Sequence, residues 1–376
     1  MRLTELSVEG FRNLAPQTLT FSDGLNILTG PNAQGKTNLL EAVFLCCTGR
    51  SHRTSRDKEL IAKGGKCALV DARCLQRDGQ HEVEVSLRAP GRKAVRINGS
   101  PIKRLGDLMG HMNAVIFSPE DLSLIKDGPA FRRRFLDMTL SQVRPSYFFA
   151  LQRYQAALAQ RNTLLKQLQK QGGASAADGE SLAVWEALMA EAGAALIGER
   201  ARFCDRLKGL CHDLHHRITG GKEDLSLRYV SAVEPEDDMA AQLTKLWADA
   251  RPQDLRLGAS YVGPHRDDLR LLLDGVDVRA YGSQGQQRTA ALSLKLSQLG
   301  LMEEETGETP ILLLDDVFSE LDWSRRSLLA QAIGRVQTIL TCVDIEASLA
   351  GRLSAGRLFD VSGGMLTQRD GVPSPT

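Results

Sequence analysis

Eight consecutive residues limit what this chain can fold into more than any others. Gly30-Pro31-Asn32-Ala33-Gln34-Gly35-Lys36-Thr37 fits the pattern G-x-x-x-x-G-K-[ST]. It lies between an apolar run ending at Leu28 and a helical pattern over 36–47. A strand before and a helix after give such a loop its mechanical meaning, so the expected fold class is α/β. The glycines let the backbone wrap a polyphosphate with successive N–H groups pointing inward. The positive end of the following helix adds to the attraction. Lys36 is expected to reach the β- and γ-phosphates, and Thr37 to ligate Mg²⁺. The plain alternative is a chance match in a glycine-containing turn.

A phosphate loop needs a second, metal-holding carboxylate at the end of a neighbouring buried strand. Ile311-Leu312-Leu313-Leu314-Asp315-Asp316 supplies four apolar residues and then two acids. Asp315 suits Mg²⁺, and Asp316 is placed to position or polarise an attacking water. The competing reading is an ordinary strand-end turn. Two further motifs resemble those of ABC-type ATPases: Ser319-Glu320-Leu321-Asp322, like the D-loop, and Ser283-Gln284-Gly285-Gln286-Gln287, like the signature. Ser283 and the Gly285 N–H would present donors at a helix N-terminus; an N-capped polar helix start explains the same residues. In that family the signature contacts the γ-phosphate held by the other subunit. The resemblance therefore implies ATP contacts for Ser283, Gly285 and Gln286, and ATP as the glue of a homodimer.

The chain of 376 residues is long enough for two or three structural units. Strand-like runs at 2–8, 25–28, 68–74, 82–87 and 114–117 are separated by Gly, Asn and Pro, and Asn98-Gly99 is a hairpin turn signal. Between 147 and 214, leucines and aromatics recur at three- and four-residue spacing on either side of a Gly- and Ser-rich stretch at 171–179. This predicts a helical hairpin with arms of about 35 to 50 Å, against the simpler alternative of a compact helical subdomain. Helix patterns at 283–299 and 324–333 and strands at 311–314 and 338–343 return the last third to α/β, before a loose tail over 370–376. The expected organisation is an N-terminal lobe over 1–118, an inserted, mainly helical arm over 119–260, and a C-terminal lobe over 261–376.

Composition removes other classes. No run of about 18 consecutive apolar residues is present, which argues against a membrane-spanning helix. The first residues lack the build of a signal peptide. Seven cysteines, an odd number, are too few for a disulfide scaffold and point to a reducing cytoplasm. Cys204, Cys211, His212, His215 and His216 cluster in sequence, but ligands on one helix seldom close a tetrahedron around zinc.

Longer segments carry a closer resemblance. Phe11-Arg12-Asn13-Leu14, Gly49-Arg50-Ser51-His52-Arg53-Thr54, Pro119-Glu120-Asp121, Arg132-Arg133-Arg134-Phe135-Leu136-Asp137 and Gly263-Pro264-His265-Arg266-Asp267-Asp268 occur in the order seen in the RecF family of bacterial recombination mediators. The chain resembles that family along essentially its whole length. The resemblance implies an ABC-type head with mixed sheets flanked by helices and a short inserted helical arm. It also implies ATP-dependent dimerisation, DNA binding at duplex or junction, slow hydrolysis, and work with RecO and RecR in loading recombinase. Arg12 and Asn13 are assigned to the nucleotide site on the same ground. The 245 residues between Thr37 and Ser283 exceed what a transporter subunit carries, and the hairpin apex has no Cys-x-x-Cys. Two departures stand out: Asp316 occupies the usual place of a glutamate, and the strand ending at Val343 has no switch histidine, leaving Thr341 or Asp344 as substitutes.

With 47 basic and 46 acidic side chains the net charge of +1 gives no global nucleic-acid footprint. Locally, residues 85–106 hold Arg88, Arg92, Lys93, Arg96, Lys103 and Arg104 with no acid, and 126–170 hold nine basic residues against Asp127 and Asp137. Such runs could track phosphates, or be solvated faces; Arg132 to Arg134 could instead be structural anchors. An aromatic content of 5% favours duplex over base-stacked single strand. The alternative function is a small-molecule P-loop kinase, which needs neither signature nor D-loop.

Overall fold

The run Leu25–Thr29 is buried at every position, as are Ile311–Asp315 and Thr338–Cys342. Strands covered on both faces read as continuous apolar runs, the habit of parallel sheets. A computed structural model describes residues 1–172, 174–235, 238–318, 325–326, 329–330, 335–343 and 356–369. Contacts divide it into two units, Met1–Leu122 with Arg217–Gly221 and Ala291–Thr376, and Ser123–His216 with Lys222–Ala290.

The first unit opens with β1 (Arg2–Glu9), β2 (Gln17–Thr20), β3 (Leu25–Thr29) and α1 (Lys36–Thr48). It continues with β4 (Cys67–Gln76), β5 (Gly79–Arg88), β6 (Ala94–Ile97), β7 (Ser100–Pro101) and β8 (Ala114–Phe117). An antiparallel sheet runs β2-β1-β4-β5-β6-β7. Along β4 and β5 buried residues alternate with half-buried ones, so one face turns inward. Asn98 and Gly99, both at positive φ, close the β6–β7 turn as the dipeptide foretold.

The second unit holds α2 (Ser123–Lys126), α3 (Pro129–Val143), α4 (Pro145–Gln171), α5 (Ala176–Thr219), β9 (Leu225–Val230) and α6 (Met239–Leu257). After these come β10 (Asp268–Leu273), β11 (Val276–Asp277), α7 (Val278–Tyr281) and the start of α8 (Gln284–Thr306), whose later residues group with the first unit. The chain ends in the first unit with β12 (Ile311–Asp315), β13 (Thr338–Cys342), β14 (Arg357–Ser362) and β15 (Met365–Arg369). The second sheet of that unit has the order β15-β14-β3-β13-β12-β8. All its pairings are parallel except β14 with β15. Helix α1 touches strands of both large sheets, among them β4, β5, β12 and β13. That is why it is buried nearly all round rather than along one stripe.

The helical hairpin is present as α4 and α5. Its connector is shorter than 171–179, because Ser175 and Asp178 cap α5 reciprocally through Ser175 N–H to Asp178 Oδ2 (2.9 Å) and Asp178 N–H to Ser175 Oγ (3.3 Å). The 44 residues of α5 make a helix of about 66 Å, longer than expected from leucine spacing alone. By length and composition α5 could cross a membrane, but half of its most apolar window is buried within the protein. It also carries the buried charges Glu186 and Arg200.

Those charges organise the second unit. Arg161 of α4, fully buried, donates to Glu186 of α5 (2.8 Å), Asp254 of α6 (2.6 Å) and Ser260 Oγ (2.7 Å). Arg200 of α5 donates to Asp137 (2.8 Å), Asp267 (3.0 Å), the Tyr147 hydroxyl (2.9 Å) and the Pro264 carbonyl (2.8 Å). Arg132 is buried as well, forked onto both oxygens of Asp268 (2.7 and 3.0 Å). Of the triple-arginine segment, Arg132 is thus an internal anchor rather than a phosphate contact. With Arg144 paired to Glu199 and Arg161 enclosed, part of the positive excess counted over 126–170 is spent inside the unit, while Lys126, Arg134, Arg153, Lys166 and Lys170 are exposed. The contact-based unit that holds these bonds runs past residue 260 to Ala290. Asp267, Asp268 and strand β10, paired with β9, hold the following segment with the helices, so the Ser283 motif falls in this unit.

Removing one partner of a buried ion cluster strands the others. Arg161→Ala should therefore lower unfolding free energy by about 3 to 5 kcal/mol, read as a reduced midpoint in urea. A loss under about 1 kcal/mol would mean that Glu186 and Asp254 find other partners.

Candidate nucleotide site at the end of the parallel sheet

Register sets the site. Thr29 pairs with Cys342, Leu28 with Thr341, and Thr341 with Asp315, so β3, β13 and β12 end side by side. The carboxyl ends of parallel strands are where open α/β sheets bind ligands. Here they form the floor of a cleft of about 800 Å³ lined by the loop residues, Asp315, Asp316 and Thr341.

The loop between β3 and α1 has the backbone such a cradle needs. Gly30 (φ 144°) and Gly35 (φ 114°) occupy conformations side chains rarely adopt, and a Cβ at Gly30 would meet the Val361 carbonyl at 2.4 Å. Ala33 also sits at positive φ, 65°. Gln34 fastens the loop to the β14–β15 turn, accepting from Gly363 N–H (2.7 Å) at its side chain and from Gly364 N–H (3.0 Å) at its carbonyl. Asn32 lines the cleft, and Pro31 directs its carbonyl to Lys36 Nζ (2.9 Å), which also bonds the Gly30 carbonyl. Burial draws the Lys36 ammonium below its ordinary value, against the pull of Asp316 and Asp315, which favour the charged form.

One carboxylate ties loop to sheet. Asp315 Oδ1 accepts from Thr37 Oγ1 and from Thr341 Oγ1, both at 2.8 Å. Thr37 and Asp315 present only hydroxyl and carboxylate oxygens, a donor set that fits a hard cation such as Mg²⁺. Asp316 follows at φ 50°, a strained value for a non-glycine. Its N–H bonds Thr341 Oγ1 (2.9 Å). Thr341, one of two substitutes named for the missing histidine, thus contacts both acids; Asp344, like the D-loop at 319–322, lies outside the described residues.

Arg12 and Asn13 line the cleft. Arg12 forks onto the fully buried Glu41 of α1 (2.9 and 2.8 Å), which also accepts from Ser51 Oγ. Asn13 donates to the Ala33 carbonyl (3.1 Å) and accepts from Asn38 (2.7 Å), bracing the loop from outside. Sequence reasoning did not assign Arg53, Glu59, Lys63 or Glu120 to the site, although all four line the cleft. Arg53 belongs to the segment 49–54 quoted above for its resemblance, and it donates to Asn38 Oδ1 (3.0 Å).

The signature residues are built into a helix start. Ser283 N–H donates to Gln286 Oε1 (2.8 Å) and Gln286 N–H to Ser283 Oγ (3.2 Å), a reciprocal cap on α8. Gly285 contributes its carbonyl to Thr289 Oγ1 (2.8 Å). The basic run at 85–106 needs a partial correction. It has no acid within it, but folding brings three from outside. Lys93 pairs with Asp57 (3.0 Å), Arg96 with Glu84 (3.7 Å) and Arg104 with Asp107 (3.2 Å). Arg88, Arg92 and Lys103 remain as exposed cations.

Burial pushes the Glu41 carboxyl up, but hydrogen bonds from Arg12 and Ser51 outweigh it and hold the group below its ordinary value of 4.5. A depressed folded-state value gives stability that is present above that ordinary value and is lost as pH falls through the folded one. Glu41→Gln should cost about 3 kcal/mol at pH 7 and flatten the acid limb of the stability–pH curve below about 4.5. A variant with the wild-type acid limb would remove Glu41 from this role.

Residues 2–350 match the family described as RecF/RecN/SMC N terminal domain. A protein of Lachnoclostridium phytofermentans named DNA replication and repair protein RecF is 44% identical over 361 residues, covering 96% of this chain and 98% of its own. Another of that name, from Acetivibrio thermocellus, is 41% identical over 372 residues and is covered completely. A solved structure of the recombination mediator protein RecF-ATP in the RecFOR pathway superposes with a TM-score of 0.89 at 36% identity, covering 98% of this chain and 97% of that one. The Smc head domain of Pyrococcus furiosus shares the fold, with a TM-score of 0.55 at 16% identity over 98% of this chain and 95% of that one. With its phosphate loop, paired acids and ABC-type head, the chain belongs to the RecF family of DNA replication and repair proteins.

Proposed function

We propose that this protein is an ATP-dependent DNA-binding switch of repair. In this reading it dimerises on ATP, binds duplex DNA or single/double-strand junctions, and works with RecO and RecR to load recombinase on single-stranded gaps. The observation that carries the reading is the alignment of Thr37, Asp315 and Thr341 beside a loop whose path requires glycine at positions 30 and 35. The solved RecF-ATP relative supports ATP as the nucleotide. Seven free cysteines, six of them buried, suit a cytoplasmic setting.

In this reading the N–H groups of 32–35 hold the phosphates and Lys36 neutralises the β and γ oxygens. Mg²⁺, when bound by Thr37 and Asp315, supplies further neutralisation of phosphate charge. Asp316 orients the attacking water. It is one methylene shorter than glutamate, and its backbone is pinned by Thr341, so hydrolysis is slow. Turnover is a weak, DNA-stimulated ATPase that resets the switch. Ser283, Gly285 and Gln286, at the start of α8, complete the site of the partner subunit.

Sharing between subunits has a direct test. Lys36→Ala alone should abolish ATP-dependent dimerisation in light scattering, and Ser283→Arg should do the same. In their 1:1 mixture only mixed dimers can form on ATP, and each holds one intact site. Hydrolysis should therefore recover to at most about half of wild type around a two-fold axis. If tagged pull-down with ATP detects mixed dimers but no hydrolysis returns, the sites are not shared in this way.

For DNA, the exposed cations are the ones to reverse. Arg88→Glu, Arg92→Glu and Lys103→Glu together should weaken binding across all sequences and make the salt slope shallower by up to about 0.9 per lost phosphate contact. Wild-type affinity and slope in that variant would leave this face merely solvated.

A further inference from the structure

Two imidazoles, one on the β4–β5 hairpin and one before β8, are not used by the nucleotide chemistry. His81, on β5, and His111, in the segment leading to β8, face each other with their Nδ1 atoms 3.5 Å apart. Their rings are tilted by 53° with centroids 5.6 Å apart. That spacing is long for a hydrogen bond between nitrogens. It is close to the roughly 3.3 Å that separates two nitrogens bound tetrahedrally to one ion at about 2.05 Å.

The surroundings favour the second geometry. On the far side of its ring, His81 Nε2 lies 2.9 Å from Asp78 Oδ1, in the turn between β4 and β5. When Nε2–H donates to that carboxylate, the lone pair of the ring is on Nδ1, pointing at His111. Metal-binding histidines are commonly oriented by such a carboxylate. His111 is fixed through its backbone: its carbonyl accepts from Cys74 Sγ (3.7 Å) and from Gln76 Nε2, both on β4.

We propose that His81 and His111 form a site for one Zn²⁺ ion, with Asp78 as the positioning residue and water completing the coordination. Imidazole nitrogens select zinc over magnesium, which separates this site from the oxygen donors Thr37 and Asp315. Among the described residues no third His, Cys, Asp or Glu joins the pair. The ion is therefore held reversibly, as a clip between the β4–β5 hairpin and the segment entering β8.

The test is calorimetric titration of the full chain with Zn²⁺ in excess Mg²⁺, together with thermal unfolding with and without Zn²⁺. One Zn²⁺ should bind per chain and raise the melting temperature. Binding should disappear in His81→Ala and in His111→Ala, and weaken about tenfold or more in Asp78→Asn. Asp78 is exposed, so that variant keeps the test valid if a histidine variant fails to fold. His212→Ala, which removes an exposed histidine of α5 stacked on His216, should bind as wild type does. Absence of binding at millimolar Zn²⁺, unaltered binding in both His81→Ala and His111→Ala, or loss of binding in His212→Ala would each overturn the proposal.

Discussion

The Asp315 carboxylate is the point on which the candidate site depends. By accepting hydrogen bonds from Thr37 and Thr341, it connects the start of α1, the end of β12 and the end of β13. Helix α1 is in turn buried between the two large sheets, so the position of the loop is set by the whole core. A phosphate cradle has to be held within a fraction of an ångström to be useful. The parallel register of three buried strands supplies that rigidity, and the loop glycines supply the backbone path that side chains would block.

The second unit is held by a different means. Three buried arginines, each satisfied by several acceptors, join α3 to α6 and β10. Taking these charges out of water is costly, and hydrophobic residues of similar volume could give comparable stability. What the arginines add is directional: a planar fork accepts few arrangements of its partners. The segment 263–268 owes its place to the same fixing. Gly263 (φ 123°) fits where a Cβ would press on Tyr154 and Trp247 at 3.0 to 3.1 Å, and Asp267 and Asp268 receive Arg200 and Arg132. A stretch that carries the family resemblance in sequence is here chiefly architectural.

Charge illustrates how far a linear reading reaches. The runs at 85–106 and 126–170 are correctly counted, yet several of their cations are paired once the chain folds. Lys93 finds Asp57 thirty-six residues away, and Arg161 finds Asp254 at ninety-three. No window along the sequence could include both members of such pairs. The two histidines above are thirty residues apart, on different elements, and nothing in their local sequence marks them.

The sequence by itself determined the phosphate loop, the paired acids at a strand end, the apolar strands and the helical hairpin. Each depends on residues within a few positions of one another: glycines that permit a turn, apolar runs, a 3.6-residue period. Tertiary structure alone decided that Thr341 bridges both acids, that Arg12 is held by Glu41, and that Arg53 and Lys63 line the cleft. It also decided that residues 261–290 fold with the helices. These outcomes depend on strand register and on ion pairs between distant residues, which exist only when separate elements are brought together.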